Sequence, residues 1–213
     1  MIKEFTSEDI EKLEKLYRAA FVNSLGGFKS VVLIGTTNSQ KHENLAVFSS
    51  LFHIGANPAL CGIIVRPSEV PRHTLNNILE LKQYTINHIT DSFYVNAHQT
   101  SARYDENISE FKEAKLTPEY IDSITAPFVK ESKIKFACQL EQKIDLEING
   151  TILLIGKIIY VSIPDNCLMT DGSVNLEAAK TITVSGLNSY HTTKKIGSLS
   201  YAKPATWPKE INL

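Results

Sequence analysis

The chain has 213 residues, 43% hydrophobic and 21% charged, which is enough apolar material for one full core. Its 22 basic and 23 acidic residues leave a formal charge of -1, and no polybasic run breaks the balance. Neither a nucleic acid nor a membrane surface is therefore expected as a partner. The charged opening MIKEFTSEDIEK does not suit a signal peptide, and no apolar run approaches the ~20 residues that span a bilayer. Cys61, Cys138 and Cys167 are widely spaced and odd in number, which argues against a disulfide framework or a zinc cluster. These bounds predict a cytoplasmic protein with a single domain over residues 1–213.

Residues 7–21 have helical spacing, with Ile10, Leu13, Leu16, Tyr17, Ala20 and Phe21 on one face and Ser7 opening an acidic first turn. They predict a covering helix within residues 1–25. Residues 30–37, SVVLIGTT, are β-branched and predict the first buried strand. Residues 44–52 read as a strand carrying Ser49 and Ser50. Asn57-Pro58 is a turn signal, and the apolar run 60–65 suits a buried strand. A helix is expected over 75–82 with Thr74 as its N-cap.

The run 84–89, YTINHI, predicts a strand with Tyr84, Ile86 and His88 on one face and Thr85, Asn87 and Ile89 on the other. NAHQTSA (96–102 within FYVNAHQTSARY) reads as a polar knot in a strand end or loop, followed by one or two helical turns. Pro118 and Pro127 bracket an irregular excursion. Residues 132–163 are strongly β, folded about Asn149-Gly150, a strong hairpin signal. Residues 164–181 suggest a polar loop and a short helix. The remainder reads as loop with one short strand near 198–201 and a tail at 205–213.

Nucleophilic catalysis needs a base beside a nucleophile, yet no Gly-x-Ser-x-Gly elbow is present. The six histidines are dispersed rather than spaced as metal ligands, so no metal site is expected. A Gly-x-Gly-x-x-Gly fingerprint and a Walker-type loop are also absent. What remains is a gathering of Arg66, Arg72, His73 and Thr74 at a helix start. Free first-turn amides, the helix dipole and forked guanidinium donors suit a phosphate there. The same residues also suit an ordinary capped surface helix with solvated arginines.

The segments NLAVFSS, HIGANPAL, RPSEVPRHTLNNI and YTINHI resemble the flavin reductase-like family, the FMN-binding split barrels. The similarity continues through NAHQTSARY, EFKEAKLTPEY and NGTILLIGKI to GSLSYAKP. It implies a mainly β fold, an antiparallel Greek-key split β-barrel with peripheral helices, usually a homodimer. It also implies FMN as cofactor, with NADH or NADPH as electron donor and a monooxygenase or another acceptor as electron partner. A flavoredoxin-like electron carrier that does not use nicotinamide directly is the alternative.

By the same resemblance, Val47, Phe48, Ser49, Ser50 and His53 run along the flavin, and Arg66, Arg72, His73 and Thr74 lie toward its phosphate. Lys29 is a weaker candidate for the phosphate. Asn96, His98 and Gln99 could line the nicotinamide side, and could equally stabilise their own loop. Arg103, on the polar loop, serves as the off-site control. The sequence departs from the family pattern at Pro58-Ala59, where Pro-Pro is usual, and at Arg72-His73-Thr74, where Ser-x-Thr is usual.

Overall fold

The computed structural model describes residues 1–67 and 72–211. Two short helices come first, α1 (Ser7–Lys12) and α2 (Lys15–Leu25), where the spacing predicts one. The break has a local cause. Thr6 and Asp9 form a capping box that starts α1, with Thr6 rather than Ser7 as the cap. Glu14 is extended, and its carboxylate accepts from the Leu16 and Tyr17 amides, so it starts a second helix instead of continuing the first. Neither helix buries a residue in this chain.

The predicted first strand is divided into β1 (Lys29–Ser30) and β2 (Val32–Thr37). There follow β3 (Glu43–Phe48), β4 (Phe52–Ala56), β5 (Ala59–Val65), α3 (His73–Leu81) and β6 (Gln83–His88). The polar knot is in fact a helix, α4 (Tyr94–Gln99), and α5 (Glu110–Glu113) comes after it. The excursion between the two prolines is closed by a small ribbon, β7 (Pro118–Glu119) and β8 (Phe128–Val129). The long hairpin is β9 (Lys135–Leu146) and β10 (Thr151–Ser162), turning at Gly150 with φ +68°.

The short helix expected within 164–181 is not formed. A 3-10 turn at Asp165–Cys167 and further turns stand there instead. The Asn175 side chain accepts from the Ala178 amide as an N-cap would, but the turn it opens ends at Lys180, whose φ is +61°. The tail holds β11 (Thr183–Ser185), β12 (Ser189–His191), β13 (Ser198–Leu199) and β14 (Glu210–Ile211), of which only β13 is anticipated by the pattern.

Seven strands form one sheet in the order β3-β2-β6-β9-β10-β5-β4, every pairing antiparallel. The edge strands β3 and β4 are consecutive in sequence. Laid flat, they would stand about 29 Å apart, but four residue steps from Phe48 to Phe52 reach only about 15 Å. The sheet must therefore curl until its edges meet, which makes a split barrel. Ser50 holds the seam: its hydroxyl donates to the Ile64 carbonyl at 3.0 Å and accepts from the Ile64 amide at 3.1 Å.

β2 is buried along its whole length because both faces are covered. Val32 and Ile34 point into the barrel beside Ile63, Tyr84, Ile86 and Leu154. Val31 and Leu33 point outward into a second cluster with Phe93, Phe111 and Val184. β6 divides its faces as the alternation predicts. Its outer polar pair is used: Thr85 donates to the Pro127 carbonyl, and Asn87 accepts from the Val129 amide and donates to the Leu33 carbonyl. Gly35 is required here, since a Cβ would come within 2.2 Å of the Pro127 oxygen. No helix among the described residues is long and apolar enough to cross a membrane.

Candidate functional site

A cleft of 730 Å³ opens where the barrel seam meets the start of α3. One wall is the end of β3 and the turn after it, with Val47, Phe48, Ser49 and Ser50. The end of β5 carries Ile64 to Arg66 into the same space, and α3 presents its first turn. The far wall combines the loop 100–106 after α4 with Val184, Leu187 and Tyr190 from the β11–β12 region.

A buried polar network fixes the start of α3. Asn44 on β3 donates to Thr36 at 3.1 Å and to Thr74 at 2.9 Å, and Asn77 donates to the same Thr36 hydroxyl at 3.1 Å. Thr74 is thus not the N-cap that the sequence suggests. It lies inside the helix, and its hydroxyl is drawn back to the sheet by Asn44. The cap is Arg72, extended at φ -106°, and it makes no side-chain capping bond. Intrahelical bonding begins with the Asn76 amide to the Arg72 carbonyl. The amides of His73, Thr74 and Leu75 have no partner among the described residues, and these residues line the cleft.

Arg66, Arg72 and Arg103 bring positive charge to the cleft, and Asp105 and Glu106 bring negative charge to its far rim. Arg66 is steadied by Asn23, whose side-chain oxygen accepts from its guanidinium at 2.7 Å. No carboxylate pairs with Arg66, Arg72 or Arg103 among the described residues. Glu110 also borders the cleft, but its carboxylate accepts from the Leu45 amide at 3.0 Å. Burial pushes its titration up, and the Leu45 bond works against that shift. The donor set is therefore amides, guanidinium groups and the hydroxyl of Ser49, which suits an oxyanion such as phosphate. The slot between strand and aromatic side chains beside it suits a flat ring.

Of the residues predicted for the site, Val47, Phe48, Ser49, Ser50, Arg66, Arg72, His73, Thr74 and His98 come together. Residues 68–71, within the segment expected near the phosphate, lie outside the described residues. His53 does not line the cleft, because after residue 51 the chain crosses to the opposite edge strand, where His53 pairs with Cys61 and is exposed. Asn96 turns away and donates to the Ala114 carbonyl at 2.8 Å, which is the loop-stabilising role. Gln99 supports the cleft indirectly by donating to the Tyr104 hydroxyl at 2.7 Å. The Lys29 ammonium is held by the Gly186 carbonyl at 2.9 Å, and Lys29 does not line the cleft. Ser50 has both hydroxyl bonds committed to the barrel seam.

Arg103 is no off-site control, since the loop after α4 folds back over the cleft. Sequence reasoning also missed Tyr190, on a strand read as loop. A signal was available: residues 181–185 and 189–192 are rich in Thr, Ser and Val and flank Gly186, whose φ of +58° makes the turn. Among the described residues no group of three or more His, Cys, Asp or Glu side chains is placed to hold a metal ion.

The flavin reductase like domain, as a family profile, matches residues 25–175. A crystal structure from Shewanella frigidimarina NCIMB 400, of a candidate flavin reductase with a split barrel domain, is 50% identical. It covers 94% of this chain and 100% of its own, with a TM-score of 0.91. Nitrilotriacetate monooxygenase component B from Bacillus cereus is 23% identical over 93% of this chain and 99% of its own, at a TM-score of 0.82. The flavoredoxin of Desulfovibrio vulgaris (Miyazaki F) is 19% identical over 84% of this chain and 92% of its own, at 0.70. At those two identities the likeness is one of fold.

Proposed function

The chain belongs to the flavin reductase like domain family, and from that premise we propose that it is an FMN-binding oxidoreductase. In this reading NADH or NADPH reduces the flavin, and the electrons leave to a partner such as a monooxygenase or to free flavin. The observation that carries it is the first turn of α3: three amides without partners among the described residues, with Arg72 and Arg66 beside them, at one end of a 730 Å³ cleft. FMN ends in the phosphate that such a donor set recognises.

Arg66, Arg72, His73 and the amide of Thr74 would hold that phosphate, with Arg103 as a further cation on the facing loop. Val47, Phe48 and Ser49 would lie along the ring. Bound FMN supplies the hydride chemistry, and the chain supplies binding, orientation and shelter from water. No side chain is assigned as a general acid or base. Val184, Leu187 and Tyr190 lie beyond the residues of the family match yet line the same cleft, which supports one domain over the whole chain. Cys61 and Cys138 are 3.6 Å apart as free thiols, in keeping with a reducing, cytoplasmic setting.

Anaerobic mixing tests the reaction. Loaded with FMN, the protein should lose its flavin absorbance rapidly on addition of NADH or NADPH. If neither bleaches it, the flavoredoxin-like carrier replaces the reductase. A companion titration with FMN and riboflavin tests the phosphate assignment, and equal affinities would remove it.

A further inference from the structure

Tyr190 on β12 and His98 on α4 are 92 positions apart in sequence, yet the Tyr190 hydroxyl and His98 Nδ1 are 2.8 Å apart. Both side chains line the cleft. The two rings meet edge-on, with centroids 5.7 Å apart and planes at 89°. Tyr94, one turn earlier on α4, also packs against Tyr190, at 5.4 Å. Two side chains of one helix thus fix where the phenol sits.

The proton count favours one arrangement of the pair. Burial disfavours the phenolate and raises the titration of Tyr190, so the group is a hydroxyl with one proton to place. Its only hydrogen-bond partner among the described residues is His98 Nδ1. A proton on Nδ1 would leave the phenol proton to water, with no acceptor among the described residues. Donation from the phenol to a bare Nδ1 satisfies both groups and moves the imidazole proton to Nε2. His98 Nε2 has no protein partner among the described residues.

We infer that Tyr190 is a positioning residue that holds neutral His98 as its Nε2–H tautomer. The imidazole then offers the cleft a hydrogen-bond donor for a carbonyl oxygen on a bound flavin. The choice of ligand rests on the proposed flavin reading; the tautomer does not. Loop 100–106 places Arg103, Tyr104, Asp105 and Glu106 on the same cleft, so the donor works within a charged rim.

The tautomer can be read directly by nitrogen NMR of the purified protein labelled with 15N-histidine, near pH 8, where an imidazole is neutral. His98→Gln identifies the signal by its loss. The wild type should show a bare Nδ1 and a protonated Nε2, and Tyr190→Phe, which keeps the ring and removes only the hydroxyl, should shift it toward a mixture of tautomers. A protonated Nδ1, or a His98 spectrum indifferent to Tyr190→Phe, overturns the inference. In the second arm, His98→Phe should weaken FMN binding about tenfold, the upper end of what one neutral hydrogen bond contributes. Undiminished binding by His98→Phe overturns the recognition role. Failure of the wild type to bind FMN at all sinks the proposed function and the recognition role together, while the NMR arm still decides the tautomer.

Discussion

Arg72 combines two features that a phosphate site needs. Its backbone begins α3 without a side-chain cap, and its side chain lines the cleft with the first-turn residues of the helix. Arg72→Ala is expected to weaken FMN binding by about 1.5–3 kcal/mol, the range for hydrogen bonds to a charged group. Lys130, exposed and away from the cleft, is the proper control in place of Arg103. Fluorescence titration checks both; an equal loss in Lys130→Ala would show the effect to be general. His88 makes a separate prediction about stability. Burial lowers its titration to about 4, below its ordinary 6.5. The folded state then binds fewer protons than the unfolded one. This contribution is complete above pH 6.5 and is lost as pH falls toward 4, by up to about 3 kcal/mol. Urea unfolding across that window should show the loss, and His88→Gln should flatten it. A variant that keeps the full wild-type slope would exclude His88 as its source.

Helix α3 matters less for its own stability than for where its first turn points. The Thr36, Asn44, Thr74 and Asn77 network ties that turn to β2 and β3. Asn44→Ala removes two of its bonds at once and leaves buried hydroxyls with fewer partners. The expected cost is about 1–3 kcal/mol in urea unfolding, together with weaker FMN binding because the amides lose their aim. Unchanged stability would mean that packing by Ile78 alone holds the helix. The elements differ in how local their signals are. The β9–β10 hairpin is readable because Asn149-Gly150 needs no distant partner. The α1–α2 break is harder, because it depends on the Glu14 carboxylate bonding the next turn rather than on hydrophobic spacing. β11 and β12 are three residues each, too short for alternation to separate from loop.

For the whole molecule, the unburied faces carry the open question of assembly. Leu16, Tyr17, Leu25 and Phe28 stand 75%, 57%, 66% and 69% exposed near the start of the chain, and the edge strand β4 exposes Phe52 and Ile54. Apolar surface of this kind is commonly covered by a second chain. The proposed homodimer predicts a sedimenting species of about twice 23.8 kDa at micromolar concentration. A monomer that still holds FMN tightly would show that one chain completes the site.

Residue pattern alone determined the β-rich core, the hairpin at Asn149-Gly150, the division of faces along β6 and the gathering of cations before α3. Each of these is written in neighbours a few positions apart, within reach of side-chain periodicity and turn chemistry. The closure of the sheet had to wait for the strand order, because only that order makes β3 and β4 opposite edges joined by a short turn. The same curl withdrew His53 from the cleft and committed Ser50 to the seam, while the packing of α4 brought the loop with Arg103 over the opening. Tyr190 meets His98 across 92 positions because α4 and the β11–β12 ribbon pack on one outer cluster with Phe93, Ala97 and Val184. Contacts at that separation depend on how whole strands and helices pack, and no local preference at either residue specifies the partner.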